Sequence, residues 1–89
     1  MAVKSFENLW EELNQKALSN SPNSQTVKLL NEGVHTIGKK VVEEAAEVWM
    51  AAEYESKDAL SLEISQLLYY LQVIAISKGL SLDDIYKEL

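Results

Sequence analysis

Four carboxylates and two ammonium groups define the chemistry open to this sequence. Glu43, Glu44 and Glu47 lie in KKVVEEAAEV, and Glu63 lies in LSLEISQLLYYL. At about 100° per residue, the first three project from one side of a helix. Val41, Ala45, Val48 and Ala52 read as an apolar stripe on the neighbouring face, which sets the acids at the edge of a core. Carboxylates gathered there repel one another unless something neutralises them. A hard divalent cation that takes oxygen ligands, Mg2+ above all, suits that need. Glu44 and Glu47, three residues apart, can reach one ion. Glu63 is a lone acid in an apolar helix, with Gln66 and Tyr70 following it along the same stripe. Antiparallel packing of the two helices would bring both polar patches together. His35 is the only imidazole and there is no Glu-x-x-His pair, so the set fits magnesium better than zinc or a di-iron centre.

Lys39 and Lys40 precede the acidic run by one turn. Beside a metal they would offer positive charge to phosphate oxygens, and a carboxylate not fully engaged by the ion would orient or deprotonate an attacking water. Plainer readings exist for each group. The glutamates could form a solvated helix face, and the two lysines could pair along the surface with Glu43 and Glu44. His35 reads as a surface or capping residue. Trp10, Trp49, Tyr54 and Tyr69 read as core or interface aromatics, Asp83 and Asp84 as acids that open a helix, and Glu11 and Glu12 as solvated.

Helices must position these groups. A first helix is predicted over Val3–Ser19, with Phe6, Leu9, Trp10, Leu13 and Ala17 at helical spacing, ending in the loop Ser19-Asn20-Ser21-Pro22-Asn23-Ser24. Ser24 or Thr26 caps a short helix that stops near Gly33. A long helix over Val34–Tyr54 carries the acidic motif. After a polar connection capped by Ser56 or Asp58, another runs from about Asp58 to Lys78 and stops at Gly79. Ser81 caps a last short helix. From Ile64 to Ile76 the fourth helix is apolar on nearly every side, more than one short chain can cover, so a homo-oligomer with this helix near its interface is expected.

Composition limits the rest. The 89 residues suffice for one domain, spanning 1–89, and one proline with three glycines leaves little material for a β-rich fold. There is no cysteine, hence no disulfide framework or thiol nucleophile. A formal net charge of −6 disfavours nucleic acid as a partner. No signal peptide or presequence pattern opens the chain and no run of roughly twenty apolar residues is evident, so a cytoplasmic protein without membrane contact is expected.

In order and spacing, KKVVEEAAEV, the LLYYLQV run and the GLSLDDIYKEL ending resemble the all-α, MazG-type nucleoside-triphosphate pyrophosphohydrolases, whose hallmark is EExxE followed by ExxD. Within them, the segments from about Ser24 to Leu89 are most similar to the phosphoribosyl-ATP pyrophosphohydrolases of histidine biosynthesis. The resemblance implies a helical bundle of four to five helices completed by homodimerisation. It also implies Mg2+-dependent hydrolysis of the α–β phosphoanhydride of phosphoribosyl-ATP, giving phosphoribosyl-AMP and pyrophosphate. The metal-binding glutamates would be Glu44, Glu47 and Glu63, with Glu43 as an accessory acid or base. Lys39 and Lys40 would face the phosphates, Thr26 and Lys28 the phosphoribosyl end, and Gln66 and Tyr70 the substrate. Two positions depart from the pattern: Gln66 stands where the family has the ExxD aspartate, and Tyr70 where a histidine often follows LLY. The next enzyme of that pathway, phosphoribosyl-AMP cyclohydrolase, would meet this chain only in trans. A housecleaning pyrophosphatase acting on free nucleoside triphosphates, and a noncatalytic helical interaction module, remain as alternatives.

Overall fold

The computed structural model describes residues 3–89, and every element in them is helical. The helices are α1 (Phe6–Ser19), α2 (Gln25–Glu32), α3 (Val34–Tyr54), α4 (Lys57–Ser77) and α5 (Leu82–Tyr86). The expected all-α fold is therefore observed, with shifts at the helix starts that follow from capping. α1 begins at Phe6 rather than Val3 because Ser5 and Asn8 form a reciprocal box: Ser5 Oγ accepts from Asn8 N at 3.0 Å, and Asn8 Oδ1 accepts from Ser5 N at 3.4 Å. Ser24 caps α2 by accepting from Val27 N, and Ser56 caps α4 by accepting from Ala59 N. Thr26 and Asp58 thus lie inside the first turns. Ser81 and Asp84 repeat the reciprocal box at α5, as its acidic start suggests.

Gly33 joins α2 to α3 without a loop, at φ 100° and ψ 173°, a conformation that a side chain would strain. Gly79 takes φ 73° just past α4, and Leu80 N donates back to Ala75 O at 3.0 Å, closing that helix as a C′ glycine does. α3 and α4 share the largest interface in the molecule, and α1 and α2 pack against this antiparallel pair.

Leu13, Leu29, Ile37 and Val73 form the buried centre, one from each of the four longer helices, with Leu9, Leu30, Tyr69, Tyr70, Ile74 and Ile76 around them. On α3 the buried positions are Ile37, Glu44 and Ala51, seven residues apart, so they return to nearly the same face. This corrects the expected stripe. Ala45 and Ala52 are exposed, and Glu44 lies within the core-facing row rather than beside it. Deep in α4, Gln72 is 1% exposed; its Nε2 donates to the Phe6 carbonyl at 2.9 Å and ties the start of α1 to the middle of α4.

α4 corrects a second expectation, being long and apolar enough to cross a membrane by length and composition. Here it packs on α1, α2 and α3 and directs Glu63 towards two other carboxylates, as the central helix of a small bundle would. Because the fully enclosed Leu13 joins α1 to this centre, Leu13→Ala should lower unfolding free energy by about 2–5 kcal/mol, whereas the exposed Leu18→Ala should change it by less than about 0.5 kcal/mol. Urea denaturation followed by circular dichroism would measure both.

Candidate metal centre

α3 presents Glu44 and Glu47, and α4 presents Glu63 from across the helical hairpin. One carboxylate oxygen from each lies within 4.8 Å of the others, close enough for a single cation to be shared. Their environments differ. Glu44 is 7% exposed, Glu63 is half-buried and Glu47 faces solvent, so the cluster runs from the core outward. Its neighbours in the buried row, Ile37 and Ala51, have no polar side-chain atom.

Glu44 Oε2 is buried and has no partner within the protein. Between ionised carboxylates there is no donor, so a hydrogen bond from Glu44 to Glu63 requires a proton. Burial, that proton-requiring bond to Glu63 and the charge of Glu47 push the Glu44 carboxyl up to about 7. A divalent cation satisfies the same three carboxylates without the proton. The donor set therefore fits magnesium: oxygen ligands only, high negative charge, and an orphaned buried acceptor.

The other residues anticipated for the site divide into groups. Glu43 stands outside the trio; it is exposed and lies 3.7 Å from the Lys40 ammonium in an i,i+3 ion pair. Lys40, one turn before Glu44, is on the side of α3 that carries the trio, although its observed partner is Glu43. Lys39 instead lines an apolar groove with His35, Gly38 and Ile74. Gln66 is exposed on α4, one turn beyond Glu63. Tyr70 packs at the rim of the core, edge-on to Tyr69 with ring centroids 5.1 Å apart.

Thr26 and Lys28 lie on different sides of α2. Lys28 faces outward beside Asn31 and Glu32. Thr26 is 3% exposed, and its hydroxyl lies 2.7 Å from that of Tyr69, forty-three residues away. That pairing was not foreseen: Tyr69 sits in an apolar run, and nothing local marks its hydroxyl as partnered. Gln72 was legible in principle, as the one amide within LLYYLQVIAI. Glu12 is not simply solvated either, since Lys4 donates to it at 2.9 Å and Lys16 approaches at 3.7 Å.

The Glu44 shift gives stability a definite pH dependence. A carboxyl whose folded-state value is raised binds more protons folded than unfolded between 4.5 and about 7, so its contribution is complete below that window and is lost as pH rises through it. The metal-free protein should melt lower at pH 8 than at pH 5, and Glu44→Gln should flatten that difference. Mg2+ should raise the melting temperature at pH 8 and have little effect at pH 5, where protons compete for the same oxygens. Differential scanning calorimetry in chelator and in Mg2+ reads all of these outcomes; a profile for Glu44→Gln identical to that of the parent would contradict them.

Comparison with known proteins places this geometry in a family. A family model described as phosphoribosyl-ATP pyrophosphohydrolase matches residues 4–89. Proteins named phosphoribosyl-ATP pyrophosphatase from Streptomyces avermitilis and Streptomyces coelicolor are each 60% identical to this chain over 90 aligned positions, covering all of both sequences. With the match running through the trio, the hairpin that carries it and the α1 and α2 cover, the chain belongs to the phosphoribosyl-ATP pyrophosphohydrolase family.

Proposed function

We propose that this protein hydrolyses phosphoribosyl-ATP at its α–β phosphoanhydride, releasing phosphoribosyl-AMP and pyrophosphate in an early step of histidine biosynthesis, with Mg2+ as cofactor. The observation that carries the proposal is the convergence of Glu44, Glu47 and Glu63 within 4.8 Å in a chain of this family. Glu44, Glu47 and Glu63 would hold the ion, which when bound supplies charge neutralisation and polarisation of the phosphate oxygens. Glu47, the solvent-facing member, is placed to orient water entering from outside. Lys40 supports the same chemistry by exchanging its ion pair with Glu43 for a phosphate oxygen, which leaves Glu43 as the accessory acid. Lys39, on the neighbouring groove, contributes at longer range. Gln66 lacks the charge of the family aspartate and is suited to a ligating water or to substrate rather than to the cation.

The proposed unit is a homodimer in the cytoplasm. Val42 and Trp49 on α3 are 70% and 68% exposed, and Ile64, Leu68 and Leu71 form a further exposed row on α4. A second copy laid on the α3–α4 pair would cover both rows and complete a bundle around the most apolar helix. Leu68→Glu should then halve the mass seen in sedimentation equilibrium.

Pyrophosphate release from phosphoribosyl-ATP, measured with Mg2+ and with chelator beside ATP, dUTP and dCTP, tests the activity. Turnover of phosphoribosyl-ATP alone, abolished by chelation and lowered about 100-fold or more by Glu44→Gln or Glu47→Gln, is expected. Preference for a free nucleotide would transfer the protein to the housecleaning pyrophosphatases. Undiminished turnover in both variants would refute the role given to the trio.

A further inference from the structure

No fourth acid joins the trio. Among the described residues, only Glu44, Glu47 and Glu63 bring carboxylate oxygens within 4.8 Å of one another. Glu43, next in the chain, is exposed and stands 3.7 Å from the Lys40 ammonium on the outer surface of α3. On α4 the side that carries Glu63 continues with Gln66, three residues on and about 60° round the helix. Counted outward from the Glu55–Ser56 connection, Gln66 is level with Ala45, beside Glu44. Position 66 is therefore where a further carboxylate would approach the cluster from α4. The side chain there is a neutral amide.

Ligand supply then limits the number of ions. Mg2+ demands octahedral geometry and keeps several waters, so three carboxylates suffice for one ion. A pair of ions about 3.5–4 Å apart needs oxygens enough to serve both. Glu44 is 7% exposed with an unpartnered Oε2, so it serves an ion enclosed between the helices and not one outside them. A second ion on the solvent side would find only Glu47 and Glu63, both already engaged by the first.

We propose that the free protein holds one divalent cation per chain, and that the neutral side chain of Gln66 limits it to one. Any further cation used in the reaction then arrives with the substrate, complexed to its phosphates. Charge favours that route. Three ionised carboxylates around one divalent ion leave one negative charge uncompensated, which opposes the approach of a bare polyphosphate. The proposal rests on the metal reading above, yet its test needs no turnover.

Titration of the full chain with Mn2+ in place of Mg2+, with free Mn2+ counted by electron paramagnetic resonance, would decide. The parent should bind one Mn2+ per chain. Gln66→Ala should do the same with Kd within about threefold, because the amide is not a ligand, whereas Gln66→Asp should bind two. Glu47→Gln should weaken the single site about tenfold or more, which locates it at the trio. Gln66 is exposed, so its variants should keep the fold, and circular dichroism checks that they do. Two ions in the parent, or one in Gln66→Asp, would overturn the proposal. So would a loss of about tenfold in affinity in Gln66→Ala, which would make the amide a ligand, or unchanged affinity in Glu47→Gln. One Mn2+ per chain in a protein that does not turn over phosphoribosyl-ATP would uphold the one-ion centre and overturn the catalytic reading. Turnover by a parent that binds two would do the reverse.

Discussion

Three carboxylates face one another along a line from the core of this bundle to its surface, and among the described residues none of them is ion-paired. The fold depends on how that repulsion is resolved. Glu44 occupies a row otherwise filled by Ile37 and Ala51, where an aliphatic residue would be the stable choice. Burial and the neighbouring carboxylates raise the Glu44 carboxyl to about 7 and so favour its protonated form. A divalent cation bound there, as proposed above, would take the same oxygens as ligands and offset the cost of enclosing them. The remaining architecture keeps that exchange localised: α3 and α4 fix the three side chains, and α1 and α2 seal the other side of the pair around Leu13, Leu29, Ile37 and Val73.

Much of this was legible in the sequence because helices announce themselves locally. Capping serines, glycines just past the last turn and 3.6-residue periodicity placed all five elements. Ligand spacing on α3 and the isolation of Glu63 on α4 pointed to the trio. Tertiary choices were harder to see. Which of two neighbouring stripes on α3 turns inward depends on partners far along the chain, so Ala45 and Ala52 looked like core and Glu44 looked peripheral. The hydroxyl contact between Thr26 and Tyr69 and the amide tie from Gln72 to Phe6 span 43 and 66 residues, and no local pattern encodes either.

The substrate contacts expected on α2 show the same division. The resemblance implies that Thr26 and Lys28 both face the phosphoribosyl end of the substrate. Two residues on a helix point about 200° apart, and here they line different cavities. Helix geometry alone would have separated them. What it could not provide is the identity of the partner that occupies the Thr26 hydroxyl.

The connection between α3 and α4 is only Glu55 and Ser56, so all three carboxylates fall within the twenty residues from Glu44 to Glu63. The candidate metal centre is thus carried by a single helical hairpin, while the walls of a polar cavity lined also by Thr26 and Tyr69 come largely from α1 and the loop after it. The three converging carboxylates are carried as one contiguous segment, separate in sequence from the α1 and α2 cover.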